Sequence, residues 1–262
     1  MRVGIVGCGR VSRRHVPALR AARGVELVAA FDVDASAARS TGAAVAGSVQ
    51  ELIERVDLVA VCTPPAAHAE VAVAALEAGR DVLVEKPLAT TLEDADRIVA
   101  AAQGRLAATG FQLRCHRKLP SSAGAVHGVW GGPTDAAVGP LLDRAVHHVD
   151  IWRALLGDEV VQAGAARHNG GIRLQARMRS GAEPYIDLPD DGPPRNLLVV
   201  DGREVDLYAM DGWRDRLRHP RELGRGGPFQ SAFAAQWEAI AAGRPPATVE
   251  DGRRALEVVL GA

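Results

Sequence analysis

Arg2-Val3-Gly4-Ile5-Val6-Gly7-Cys8-Gly9-Arg10-Val11-Ser12 sets an apolar run against two glycines and then opens a helix. Strand, tight turn and helix N-terminus in that order form the place where backbone N–H groups and the helix dipole hold a pyrophosphate. The pattern is G-x-G-x-x-S, with Ser12 standing where a third glycine is usual. Taken alone, the loop also reads as a plain tight turn. Asp32 closes a second apolar run about 20 residues downstream, where an acid hydrogen-bonds ribose hydroxyls and repels a 2′-phosphate. An Asx turn or a helix cap is the competing reading, with Asp34 also placed to cap. Gly7, Gly9, Arg10, Val11 and Asp32 are therefore candidate contacts for NAD, and NADP replaces it if Arg13 or Arg14 meets a 2′-phosphate.

The pattern continues outward. Apolar runs at 3–6, 25–31, 58–62, 82–85 and 106–109 alternate with helical stretches starting near 11, 35, 48, 66 and 92. Strands without polar alternation belong to a sheet covered on both faces, so residues 1–112 read as a doubly wound parallel α/β sheet of Rossmann type. Past Gln112 come a helix at 141–156 and short strands at 160–167, 172–179, 196–200 and 204–209. Residues 113–262 are thus expected to form a second α+β domain with a largely antiparallel open sheet. Stretches 229–242 and 252–260 read as helices; a return of the final segment onto the first domain is one expectation, which their periodicity does not decide. Gly and Pro cluster at 124–140, 184–194 and 224–228, which read as loops.

The charge balance, 31 basic against 32 acidic residues, offers no global attraction for nucleic acid or an anionic membrane, so a small-molecule partner is expected. No apolar run reaches membrane-spanning length, and the N-terminus reads as a strand rather than a signal peptide. Cys8, Cys62 and Cys115 are widely spaced and odd in number, which fits free thiols and a cytoplasmic setting.

Asp81-Val82-Leu83-Val84-Glu85-Lys86-Pro87 ends a strand in an acid, a base and a ring-locked residue. In an open parallel sheet, ligands sit beyond the carboxyl ends of the strands, so Lys86 there faces whatever is bound. A solvated Glu-Lys turn stopped by proline is the plain alternative.

Four segments, Gly7-Cys8-Gly9-Arg10, Cys62-Thr63-Pro64-Pro65-Ala66-Ala67-His68, Ala78-Gly79-Arg80 followed by Asp81 to Pro87, and Gly110-Phe111-Gln112-Leu113-Arg114, occur in the order and spacing of one family. The chain resembles the glucose-fructose oxidoreductase/inositol dehydrogenase/MocA dehydrogenases. Asp143-Arg144-Ala145-Val146-His147 is similar to that family's Asp-x-Gly-x-His segment. The resemblance implies a nicotinamide dehydrogenase acting on CH–OH groups of a sugar, cyclitol, ketosugar or related polyol. It makes Lys86, Asp143 and His147 the catalytic residues, and puts Thr63, Pro64, His68, Glu85, Lys86 and Gln112 near the nicotinamide. Lys86, Arg114, Trp130, Asp143 and His147 become substrate candidates. It also implies a cis Lys86-Pro87 bond and a homodimer or homotetramer formed through the open sheet. In such a site His147 takes the hydroxyl proton, Lys86 stabilises the developing alkoxide, and Asp143, one helical turn earlier, binds substrate or orients the imidazole.

The sequence departs from the family at Ser12, at Ala145 in the glycine position of Asp-x-Gly-x-His, at Gly139-Pro140, and in the shortness of 116–139. A trimmed pocket suits a bulky substrate, or a nucleotide-binding protein without hydride transfer; an imine or enone reductase is a further reading. Trp130 in the short segment either stacks on a sugar face or packs. His15 reads as structural, His148 and Asp150 as packing or interdomain residues, Trp213 and Trp237 as core or interface. No histidine spacing specifies a metal. Arg214, Arg216, Arg218, His219 and Arg221 read as a solvated loop, or as a guide for a phosphorylated or nucleotide-linked substrate.

Overall fold

A computed structural model describes residues 1–223 and 227–262 of the chain, without the side chains of Arg221 and Leu223. Residues 224–226 of the expected Gly/Pro loop and the Arg221 side chain of the basic cluster therefore lie outside the described residues. The chain forms two compact units, one of Met1–Gln112 with Phe233–Arg253, the other of Leu113–Ala232 with Arg254–Ala262.

The first unit holds a parallel sheet of β1 (Arg2–Val6), β2 (Glu26–Phe31), β3 (Ala44–Val45), β4 (Leu58–Val61), β5 (Asp81–Val84) and β6 (Ala107–Thr109), in the order β3-β2-β1-β4-β5-β6. Helices α1 (Ser12–Ala21), α2 (Ala35–Ser40), α3 (Val49–Arg55), α4 (His68–Glu77) and α5 (Leu92–Ala101) fill the crossovers. Every residue of β4 is buried, as are Val82, Leu83 and Val84 of β5, which is why these strands are continuous apolar runs. Side-chain caps start α2, α3 and α5: Asp34 accepts from Ser36 N–H, Ser48 from Glu51 N–H and Thr91 from Asp94 N–H. The order reverses between β1 and β4, and Gly7 and Lys86 both follow strands close to this switch point. Beyond β6, Thr109 N–H donates to Ala247 O at 3.1 Å and Thr109 Oγ1 to Thr248 O at 2.9 Å, so the returning segment lines this edge. The two-residue β3 has no counterpart among the expected strands.

The second unit carries a mixed sheet in the order β12-β11-β7-β10-β9-β8, built from β7 (Val126–Gly131), β8 (Val160–His168), β9 (Gly171–Met178), β10 (Tyr185–Pro189), β11 (Arg195–Val200) and β12 (Arg203–Asp206). All its pairings are antiparallel except β7 with β10. In β9 Leu174, Ala176 and Met178 are buried while Gln175 and Arg177 are exposed, the period of a sheet covered on one face. Against β7 packs α6 (Val146–Leu156), whose Val149 and Trp152 are fully buried. Residues 141–145, expected as the first turns of that helix, are π-helical. The central strands β7 and β10 fall inside the two glycine- and proline-rich stretches read as loops, and the expected strand at 204–209 stops at Asp206. The basic cluster lies largely on helix α7 (Gly212–Arg218) rather than on a loop, its Asp215 held by Arg117 at 2.8 Å. A short α8 (Pro220–Leu223), α9 (Gly227–Ala241) and α10 (Val249–Leu260) complete the helices. Among the described residues no helix is long and apolar enough to cross a membrane.

Candidate active site

The first unit presents the glycine loop expected to hold a nucleotide. Gly7 sits at φ 89°, and a Cβ there would stand 2.5 Å from the Cys62 and Thr63 backbone, so only glycine lets the β1 turn lie against the end of β4. At Gly9 a Cβ would meet nothing within 4 Å, leaving open space over the loop before α1. Ser12, in place of the third glycine, donates its hydroxyl to Gly9 O at 2.7 Å and is buried, so the substitution ties the loop together. Arg10 is exposed on this loop and Val11 precedes the first turn of α1.

Asp32 is fixed by its neighbours: one carboxylate oxygen accepts from Cys8 N–H at 2.6 Å and the other from Asp34 N–H at 2.8 Å. Each oxygen keeps a lone pair for a further donor. Val33 beside it is 98% exposed, and Asp34 caps α2, so the end of β2 presents two carboxylates. Burial and the nearby Asp32 charge push the Cys8 thiol up to about 11, which makes it a poor nucleophile.

At the end of β5 the predicted residues divide. Lys86 is half-buried and precedes the cis Lys86-Pro87 bond. Glu85 is buried: His15 Nε2 lies 2.7 Å from its Oε1, and its Oε2 accepts from Lys86 N–H at 3.1 Å. A Cβ on Gly110 would stand 2.7 Å from Glu85 Oε1, so the glycine of Gly110-Phe111-Gln112 makes room for this carboxylate. Burial alone would raise the Glu85 pKa, but His15, the Lys86 charge and the Lys86 N–H outweigh it and hold the carboxyl below its ordinary value. His68 is buried with its ring nitrogens 2.9 Å from Thr63 O and 3.0 Å from Pro87 O, and burial lowers its pKa. It pins the Thr63-Pro64 turn to the segment after Lys86. Pro64 is exposed and Gln112 buried.

Asp143, Arg144 and His147 belong to the second unit. Asp143 accepts from Asp135 N–H at 2.9 Å in the π-helical turn before α6. The buried Arg144 guanidinium donates to Trp130 O at 3.1 Å and to Gly132 O, tying that turn to β7. His147 is buried on α6, its ring centroid 5.4 Å from that of Trp130. Trp130 is itself an inward residue of β7, 9% exposed, so it packs on the histidine pair. His148 is fully buried, and desolvation pushes its pKa down to about 3 against the opposing effect of Asn196. Arg114 donates Nε and Nη2 to Asp150 at 2.9 and 2.6 Å, so a candidate substrate ligand has its bidentate edge engaged within the unit. Trp213 is 66% exposed, with the Arg214 guanidinium 5.4 Å from its ring centroid, and is not a core residue.

Two residues outside the candidate set join the first unit's cluster. His15 was legible as buried, since it shares a helix face with Ser12 and Leu19. Its partners Glu85 and Trp237 lie 70 and 222 residues away, separations that carry no sequence signal.

Comparison with known proteins agrees with this geometry. The sequence model of a family described as "Oxidoreductase family, NAD-binding Rossmann fold" matches residues 1–109. Inositol 2-dehydrogenase 3 of Saccharopolyspora erythraea is 38% identical over 218 residues, covering 72% of this chain and 62% of that one. The chain thus spans less than two thirds of that relative's length. 1,5-Anhydro-D-fructose reductase of Ensifer adhaerens is 33% identical, with 96% of this chain and 92% of that one covered. A crystal structure of myo-inositol 2-dehydrogenase from Lactobacillus plantarum superposes with a TM-score of 0.80 at 19% identity, over 99% of this chain and 95% of that one, a likeness of fold. With a relative matched over nearly its full length and the glycine loop intact, the chain belongs to the glucose-fructose oxidoreductase/inositol dehydrogenase/MocA family of oxidoreductases.

Proposed function

We propose that the chain is an NAD-dependent dehydrogenase moving hydride between nicotinamide and a carbinol or ketone carbon of a cyclitol or sugar. The observation that carries the cofactor assignment is the end of β2: Asp32 held by two backbone N–H groups, Val33 exposed, and Asp34 capping α2. Two carboxylates there favour ribose hydroxyls and repel a 2′-phosphate. The open side of Gly9 and the N-terminus of α1 suit the pyrophosphate. When bound, the nicotinamide supplies the hydride acceptor or donor.

This chain's side chains handle the proton and the oxygen. His147 takes the hydroxyl proton of an alcohol, or returns it to a ketone oxygen in the reductive direction. Lys86 donates a hydrogen bond to the same oxygen, and Asp143 accepts from a neighbouring substrate hydroxyl. Curated relatives carrying inositol dehydrogenase and anhydrofructose reductase names support a polyol or ketosugar. The alternating outer face of the second sheet, with Leu197 and Val199 on β11 and Tyr185 on β10 only half-buried, supports association of two copies.

The test is NAD+ and NADP+ binding by calorimetry, followed by reduction assays on a panel of inositols, anhydroketoses and nucleotide sugars. NAD+ is expected to bind at least ten-fold tighter than NADP+. Lys86→Ala and His147→Ala are expected to lose roughly 10²- to 10⁴-fold in turnover while still binding nucleotide. Nucleotide binding with no hydride transfer across the panel would instead favour a binding protein with a trimmed pocket.

A further inference from the structure

A chain of buried polar groups runs beneath the strand end that carries Lys86. Trp237 Nε1 of α9 donates to His15 Nδ1 of α1 at 3.1 Å, and His15 Nε2 lies 2.7 Å from Glu85 Oε1. Glu85 Oε2 accepts from Lys86 N–H. Trp237 and His15 have no exposed surface, and Glu85 is 4% exposed. The ring edges of His15 and Phe233 meet at 89°, closing the imidazole in further.

The partners dictate the protons. An indole N–H only donates, so His15 Nδ1 must accept and carries none. The ring proton is then on Nε2, pointing at the Glu85 carboxylate. Through that N–H the imidazole hydrogen-bonds the Glu85 carboxylate. Of the groups around that anion, Cys62 and His68 are also buried, and His15 and Lys86 both act to hold its carboxyl low.

We infer that Trp237, His15 and Glu85 are positioning residues that keep a full negative charge under Lys86, so that the lysine serves as a fixed cationic hydrogen-bond donor and not as the proton acceptor. This rests on the reading of Lys86 as the residue that meets substrate oxygen. Glu85 on this account touches neither nicotinamide nor substrate; it acts through Lys86. Gly110 belongs to the device as the position whose missing side chain admits the carboxylate.

The test measures Lys86 directly in the nucleotide-free protein, by the rate at which an acylating reagent labels its amine near neutral pH, read by peptide mass spectrometry. Removing the anion leaves more lysine as free amine, so Glu85→Gln is expected to label roughly ten-fold faster than wild type. His15→Leu strips the donor from Glu85, makes the buried carboxyl take up a proton, and is expected to behave alike. His15→Gln restores one amide donor and is expected to return towards the wild-type rate, which a volume effect would not do. ¹⁵N spectra of the histidines are expected to show the His15 ring proton on Nε2, with Nδ1 accepting from Trp237. Wild-type labelling in Glu85→Gln, or a proton on His15 Nδ1 in the wild-type protein, overturns the inference. If His15→Leu does not fold, the near-isosteric Glu85→Gln decides alone. Turnover of Lys86→Ala separates the two claims: full activity there removes lysine from the mechanism, while the labelling result still reports whether the charge coupling exists.

Discussion

Glu85 of the first unit and Asp150 of the second are both carboxylates buried beside an α-helix, and the two are satisfied in opposite ways. Asp150 of the second unit is fully buried and gives both oxygens to the Arg114 guanidinium. Glu85 of the first is buried almost as deeply and has the His15 imidazole on one oxygen and its own chain's Lys86 N–H on the other. The Arg114–Asp150 fork is charge against permanent charge, with the geometry of a structural clamp. Glu85 lacks such a partner, so its field is available to the side chain of Lys86. A buried acid closed off by arginine holds a fold together; one held by histidine at a strand end tunes a neighbour.

The clamp should be the costlier of the two to break. Asp150→Ala takes the carboxylate fork from the largely buried Arg114 guanidinium, and is expected to destabilise the second unit by about 3–5 kcal/mol. Asp150→Asn, which keeps the shape and one acceptor, should lose less. Denaturant melts followed with unit-resolved hydrogen exchange measure both. A loss below about 1 kcal/mol for Asp150→Ala would remove the distinction drawn between the two acids.

Glu85→Gln should cost less, about 1.5–3 kcal/mol, the range for a lost hydrogen bond to a charged group, because His15 Nε2–H still finds an amide oxygen. That leaves a folded protein at ordinary domain stabilities. The signature of the comparison is the ratio of effects. Asp150 substitutions are expected to change stability more than turnover per folded molecule, whereas Glu85→Gln lowers turnover with a modest change in melting.

Much of the first unit was readable because its chemistry is local in sequence. Continuous apolar strands, the glycine pair at the end of β1 and Asp32 at the end of β2 each announce a backbone position without any need for a partner. The second unit hides more. Val126, Gly128 and Trp130 alternate along β7, but Gly128, Gly131 and Gly132 give the stretch the composition of a loop, and β10 is masked by the prolines around it. Strand propensity there is overruled by burial against α6. Site residues show the same limit. Residue type alone cannot say that Glu85 turns inward to His15, or that Arg114 spends its fork on Asp150, because both partners are set by tertiary packing. Trp237 was legible as apolar and helical, and its one polar atom became meaningful only beside His15.

The smallest expected effect, per group and per pH unit, is a stability slope, and it separates the units by its pH window. Burial lowers His148 to about 3 and His116 to about 4, with Leu207 O as the His116 hydrogen-bond partner. For a histidine whose folded pKa lies below its unfolded value near 6.5, the unfolded state binds the extra proton in between, so stability falls as pH drops below about 6.5. Each contributes about 1.4 kcal/mol per pH unit until its folded pKa is reached. His68 of the first unit is lowered in the same direction. Glu85 works lower down: its folded pKa is depressed below 4.5, so its stabilisation is intact through this window and is lost only as pH falls further. Hydrogen exchange at descending pH should therefore show the second unit opening first, with His148→Leu removing about 1.4 kcal/mol per pH unit from its slope. If instead the strand end around Glu85 opens first between pH 6.5 and 4.5, its carboxylate is not held as an anion by His15 and Lys86, and the contrast between the two buried acids fails where it matters for chemistry.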